Sequence, residues 1–217
     1  ACLLATTQAE AQRRAAALDH LNRERQAIEG RMASEAVASV QTSVDDRSPP
    51  DGICVRGADW HEGVVGLVAS RLKEHYNRPA VVFAPAGDGL LKGSARSVPG
   101  CHMRDALERI ARDQPETVCQ FGGHAGAAGL TIPEAQFSAF QGAFLQAMAE
   151  ALPADQRDGV VITDGPLPPD ALTLAFAQTL RDAGPWGAAF PEPCFDGVFA
   201  VLNARAVGDD HLKLRVR

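Results

Sequence analysis

The sequence predicts an α/β protein: a long N-terminal helix, then helices packed on a mixed sheet, then a small β domain. Three observations carry that expectation. Apolar residues recur at three-four spacing along the first forty residues. Between residues 50 and 152, short β-branched apolar runs alternate with helical ones. From Pro153 the texture shifts to prolines, and after Phe195 to apolar–polar alternation.

Residues 1 to about 40 read as one helix, with Leu18, Leu21, Ile28 and Met32 on one face and Arg23, Glu24 and Glu29 between them. "DDRSPPDG" (45–52) ends it. "GICVRGA" is a strand, and "VVGLVASRLKEHY" a helix whose Val64, Leu67, Val68 and Leu72 share one face. "PAVVFAP" and "LLKGSARSV" are strands joined through the "AGDG" turn, followed by the helix "MRDALERIARD". "AAGLTI" is another strand and "PEAQFSAFQGAFLQAMAEAL" a helix, with Pro133 at its first turn. Beyond Pro153, "VVITDGPLPPD" contributes a short strand and "ALTLAFAQTLRDAG" a helix. "FDGVFAVLNARAVGDDHLKLRVR" is a hairpin turned at "GDD", and its alternation running into Arg217 suggests a β domain cut short.

Composition narrows the function classes. The 217 residues, 46% hydrophobic, suffice for one large or two small cored domains. No apolar run reaches a membrane span, and "ACLLATTQAEAQRR" lacks both an initiator Met and a signal-peptide layout, so it reads as a cut start. Five cysteines, odd in number and never in a CxxC pair, predict reduced thiols and a cytoplasmic location. The net charge of -6 argues against a strongly basic nucleic-acid binder. Charge is local, however: from His61 to Arg104 there are six cations (Arg71, Lys73, Arg78, Lys92, Arg96, Arg104) against three acids (Glu62, Glu74, Asp88).

Three clusters bear chemistry. "FGGHAGAAGL" (121–130) is too bare to build a core. Its glycines permit positive φ and close approach, successive N–H groups can form an anion-holding nest, and His124 adds a donor. A tight turn with a satisfied histidine fits the same residues. "ADWHEGVVGLVASR" places Asp59, Trp60, His61 and Glu62 where a strand gives way to a helix, an anion site by its free N–H groups. Equally, Asp59 or Glu62 caps that helix and Trp60 fills the core. In "LKGSARSV", strand alternation sets Lys92, Ser94 and Arg96 on one face and Gly93, Ala95 and Ser97 on the other. That first face is either a phosphate-contacting set or a solvated edge. His61, Cys101, His102, Cys119 and His124 are metal-ligating types, but their spacings fit no zinc pattern and "HEGVV" is not HExxH. There is no P-loop, no GxSxG elbow and no carboxylate cluster suited to two hard cations.

Together, "WHEGVVGLVASRLKEHYNRPAVVF", "KGSARSV" and "GGHAGAAGLTI", with "LNRERQAIE" before and "FDGVFAVLNARAVGDDHLKLRV" after, resemble the DHH phosphoesterase superfamily. Within it they are similar to the bacterial exonucleases that degrade single-stranded DNA from 5′ to 3′. The resemblance spans nearly the whole chain, and its implications are specific. Residues 1–45 would be a connecting helix, 46–152 the DHH-associated substrate-binding domain, and 153–217 the start of an OB-type DNA-binding domain. The substrate-side residues would be His61, Arg96, Gly122, Gly123 and His124, with Lys92 and Ser94 beside them. The aspartates and DHH motif that hold Mg²⁺ or Mn²⁺ in this superfamily are absent; "LDH" at Leu18–His20 stands alone in a helix. The resemblance therefore implies a metal-dependent enzyme of DNA repair and recombination whose catalytic domain lies elsewhere, with this portion inactive by itself. It implies single-stranded DNA as partner, no membrane, and a monomer. Two other readings stay open: a related phosphodiesterase for oligonucleotides or cyclic dinucleotides, and a non-catalytic nucleic-acid-binding module.

Overall fold

The computed structural model describes residues 2–43, 50–153, 157–187, 190–208 and 211–217. Most of the "DDRSPPDG" break and the two aspartates of the "GDD" turn lie outside these residues. Chain contacts divide the molecule into two compact units, Ala1–Gly159 and Val160–Arg217.

The first unit opens with α1 (Gln8–Ser43). Four i,i+4 ion pairs line it, Glu10–Arg14, Asp19–Arg23, Arg25–Glu29 and Arg31–Glu35, each adding a few tenths of a kcal/mol, about 0.2–0.5, and His20 Nε2 lies 3.3 Å from Glu24. The apolar stripe expected along it is used in part. Met32, Ala36 and Val40 are buried and Ile28 packs beside them, but Leu18 and Leu21 are 55% and 59% exposed. Spacing defines a face without saying how far a neighbour extends along it.

A five-stranded sheet follows, ordered β1-β2-β3-β5-β4. Its strands are β1 (Ile53–Arg56), β2 (Ala80–Pro85), β3 (Leu90–Arg96), β4 (Gln120–Gly123) and β5 (Ala127–Pro133). β1 and β2 are parallel and every other pair is antiparallel. β1 and β2 are joined through α2 (Val65–Tyr76), and β3 and β4 through α3 (Met103–Asp113); α4 (Phe137–Ala151) follows β5.

One sheet face is closed. Cys54, Val81, Phe83, Leu91, Ala95, Leu130 and Ile132 pack against Met103, Leu107 and Ile110 of α3 and Phe140, Phe144 and Met148 of α4. Phe83 meets Phe137 and Phe140 edge-on, with centroids 5.8 and 5.4 Å away. Gly93 is required here, because a Cβ would press into Phe83 and Leu130. On the other face, Ile53, Val55, Ala80, Val82 and Ala84 lie under Val65, Val68, Ala69 and Leu72 of α2 and the C-terminal half of α1. That cover reaches only part of β3, where the first turn of α2 lies against Ser94 and Arg96. The same face of β3, β5 and β4 carries Lys92, Ser94, Arg96, Thr131, Gly129, Gln120 and Gly122, none of them buried.

Several local expectations need correction. "FGG" is the edge strand β4, where a bare loop was expected; pairing with β5 overrides the poor strand propensity of glycine. Pro133 ends β5 and caps a single 3₁₀ turn (Glu134–Gln136), and α4 starts only at Phe137. Leu67 is 39% exposed, and Val65 and Ala69 take its place in the buried stripe. Neither Asp59 nor Glu62 caps α2: Val64 stands at the cap position without a side-chain bond, and its N–H donates to the His61 carbonyl at 3.1 Å. Cys54 and Cys101 are buried, and burial pushes both thiols up, so they stay neutral; Cys119 and Cys194 are exposed and unbridged.

In the second unit "VVITDGPLPPD" forms no strand; it makes an isolated bridge between Pro166 and Asp196. The helix α5 (Leu174–Ala183) is capped by Thr173, whose hydroxyl accepts from Phe176 N–H at 3.2 Å. β6 (Val201–Val207) and β7 (His211–Val216) form the expected hairpin. Its register puts Asn203, Arg205, His211, Lys213 and Arg215 on one face and Ala204, Ala206, Leu212 and Leu214 on the other.

Candidate nucleic-acid interface

The bare half of the sheet is where the three sequence clusters converge. Arg96 ends β3, and its Nη1 donates to Ser94 Oγ at 2.8 Å and to the Ala95 carbonyl at 2.9 Å. Its guanidinium lies along the first turn of α2: a Cβ built on Gly66 would stand 2.9 Å from Nη2 and 3.2 Å from Ser94 Oγ. A Cβ at 66 would oblige the guanidinium to shift. That turn has no side-chain cap, so the positive end of the α2 dipole is not offset by a capping side chain.

His61 belongs to the turn that leads into α2, and its Nδ1 accepts from Gly63 N–H at 3.0 Å. His124 begins the turn between β4 and β5, and its Nδ1 accepts from Gly126 N–H at 3.3 Å. Both rings repeat one device. With Nδ1 committed as acceptor, the neutral imidazole carries its proton on Nε2 and presents a donor outward, the polarity a phosphate oxygen needs. The His124 turn is pinned by Ser97 N–H to the Gly126 carbonyl and Met103 N–H to the Ala125 carbonyl, both at 2.9 Å. Register places Arg96 directly opposite Ala127, at the mouth of that turn.

The paired glycines differ in kind. Gly123 has φ +148° and an added Cβ would collide with the Ala127 carbonyl and with Ala128, so the fold itself demands glycine there. Gly122 has an ordinary φ, and an added Cβ would meet nothing within 4 Å. Gly129, its cross-strand partner, is equally unobstructed. With Gln120, Thr131 and Lys92 they line a shallow hollow of about 310 Å³. The sequence reading missed Gln120, Gly129 and Thr131; extending the period-2 alternation from Ala127 through β5 would have found the last two. A larger hollow, about 470 Å³, lies between α1, β1 and α4 and touches none of these groups.

The local basic excess is mostly spent inside the fold. Lys92 Nζ sits 2.9 Å from Glu62, Arg71 2.7 Å from Glu29 and Lys73 3.6 Å from Glu74. Arg78 is buried and donates to the Asn77 and Arg157 carbonyls. Of the six cations, Arg78, Arg96 and Arg104 have no carboxylate partner among the described residues, and of these Arg78 is buried. The described residues contain no cluster of three or more His, Cys, Asp or Glu side chains, so they do not fit a Mg²⁺ or Mn²⁺ centre. No described helix is long and apolar enough to cross a membrane.

Comparison with known proteins agrees with this architecture. Residues 50–150 match the DHHA1 domain and residues 163–217 the RecJ OB domain. The chain therefore joins a DHHA1 domain of the DHH superfamily to an OB-type domain. It belongs to the RecJ family, as the portion of those proteins that carries these two domains. It is 48% identical over its full length to the single-stranded-DNA-specific exonuclease RecJ of Escherichia coli K12, of which it spans 38%. The RecJ of Haemophilus influenzae is 45% identical over 98% of the chain, which spans 37% of that protein. The crystal structure of Thermus thermophilus RecJ in complex with Mg²⁺ superposes with a TM-score of 0.77 at 32% identity, covering 99% of this chain and 32% of that one.

Proposed function

We propose that this chain is the substrate-gripping part of a 5′→3′ exonuclease that degrades single-stranded DNA in repair and recombination. The observation that carries this reading is Arg96, seated against the first turn of α2 and opposite Ala127 at the mouth of the His124 turn, at the border of the uncovered part of the sheet. Arg96 clamps a phosphate with two N–H groups, a fork that lysine cannot match. His61 and His124 donate from Nε2 to its remaining oxygens, and Ser94 holds the guanidinium in plane. Gly122 lets the strand lie against bare backbone, and Gly123 sets the turn that aims His124. Lys92, already matched by Glu62, contributes less. Such donors also stabilise charge that builds on the phosphoryl oxygens during hydrolysis.

In this proposal the boundaries fall at 1–45 for the connecting helix, 46–152 for the DHHA1 domain and 153–217 for the OB-type domain. The basic face of the β6–β7 hairpin holds the strand further on: Arg205 and Lys213 sit directly opposite one another, a like-charge pair that a polyanion relieves. Mg²⁺ or Mn²⁺ supplies the water-activating chemistry in the whole enzyme, held by residues outside this chain, and the chain alone does not cut DNA. It works in the cytoplasm, as a monomer. The test is fluorescence anisotropy of a labelled 5′-phosphorylated single strand at two salt concentrations. Binding that falls steeply with salt and weakens in His124→Ala supports the reading. Salt-insensitive binding, or none at low salt, refutes it for this chain. A preference for di- and trinucleotides over longer strands would favour a short-oligonucleotide phosphodiesterase.

A further inference from the structure

The turn that presents His61 is built on α1. Trp60 Nε1–H donates to Glu35 Oε2 at 2.8 Å, and the indole is 8% exposed. The next residue, His61, donates its backbone N–H to Met32 Sδ at 3.5 Å. Glu35 and Met32 lie three residues apart, on one side of α1. Gly57 completes the seat, since a Cβ there would collide with the indole. Two consecutive residues of a functional turn are thus tied to the side chains of one helix.

Core filling explains the burial of Trp60. It does not explain why the partner of Trp60 is a carboxylate whose side chain remains 51% exposed, when water or a carbonyl would satisfy an indole N–H. A charge-assisted bond is shorter and stiffer than either. It fixes the indole, the indole fixes the chain at residue 60, and His61 follows, with its carbonyl accepting from Val64 N–H and its Nδ1 from Gly63 N–H.

We propose that Glu35 and Met32 are positioning residues that set the orientation of His61, so that the placement of α1 and the grip on phosphate are coupled. This rests on the reading of His61 as a phosphate contact. The coupling is reciprocal: whatever shifts α1 changes the affinity for the strand, and a bound strand holds α1 in place.

The test uses the full chain with Trp186→Phe, which leaves Trp60 as its single tryptophan. Two readouts are taken: the protonation pattern of the His61 ring nitrogens by long-range ¹H–¹⁵N NMR, and anisotropy of a 5′-phosphorylated single strand. Glu35→Ala is expected to shift Trp60 emission, average the His61 tautomers and weaken binding about tenfold. Glu35→Gln offers only a neutral carbonyl oxygen to the same indole and is expected to recover part of the His61 pattern and part of the affinity. Met32→Leu, which keeps volume but removes the sulfur acceptor, should move the His61 signals less. In a His61→Ala background, Glu35→Ala should cost no further affinity. An unchanged His61 pattern in folded Glu35→Ala overturns the proposal, as does an equal loss with and without His61. If the parent chain binds no DNA yet the His61 pattern shifts, the positioning stands and the DNA-binding reading falls.

Discussion

The sheet face that α1 and α2 cover on β1 and β2 continues, partly covered on β3 and uncovered across β5 and β4. The two halves share one surface, one twist and one hydrogen-bonded ladder. They differ in what the alternate positions carry. Under the helices these are Ile53, Val55, Ala80, Val82 and Ala84; at the border they are the half-buried Ser94 and Arg96, and beyond it Lys92, Gly122, Gly129 and Thr131. Ser94 pairs with Val82 on one side and Gly129 on the other, so the change from buried core to exposed surface happens across a single strand. A protein can carry a binding surface on its own sheet by withholding cover from part of it. The withheld part then needs side chains that tolerate water and backbone bare enough to be approached.

That contrast can be broken from the covered side with the largest effect. Phe140→Ala opens a hole under Phe83 and Phe144 and should cost about 3–5 kcal/mol, read as a lower midpoint in urea unfolding. A midpoint within error of the parent would mean that this face is not the one holding the sheet together. Next come the two glycines, which sharpen the comparison because they are neighbours. Gly123→Ala should destabilise by roughly 2–3 kcal/mol, since its φ and its contact with the Ala127 carbonyl both exclude a Cβ. Gly122→Ala should leave stability unchanged, or raise it by about 0.5 kcal/mol, while weakening DNA binding severalfold. If Gly122→Ala binds DNA as well as the parent, the bare backbone on β4 is not approached by the strand.

On the open side, Arg96→Ala removes a charged donor that the fold barely uses. Affinity for single-stranded DNA should fall about tenfold or more, with a thermal midpoint within a degree or two of the parent. Arg96→Lys should recover only part of that loss, because the fork is gone. The smallest effect belongs to Lys92→Ala. Its pair with Glu62 is largely solvated, so the expected change in stability is under about 0.5 kcal/mol, with little change in affinity at moderate salt. A large loss of binding would show that Lys92 leaves Glu62 when the strand arrives.

The sequence alone determined a good deal here. Apolar runs and turn residues marked every helix and all but one of the sheet strands of the first unit, because periodicity of burial is written locally. Alternation in "LKGSARSV" put Lys92, Ser94 and Arg96 on one face before any partner strand was known. What escaped was anything decided by a neighbour distant in the chain. β4 forms because β5 pairs with it, against the propensity of its glycines. Leu18 and Leu21 stay in water because the described chain places nothing over them. The apparent basic face shrank once Glu29 and Glu62 proved to sit beside Arg71 and Lys92. The seating of Arg96 against the first turn of α2 and opposite Ala127, and the different backbone demands at Gly122 and Gly123, were likewise decided only in three dimensions. Hydrophobic spacing encodes which face turns inward; whether a given stretch of that face is covered, paired or left open depends on contacts between residues far apart in the sequence.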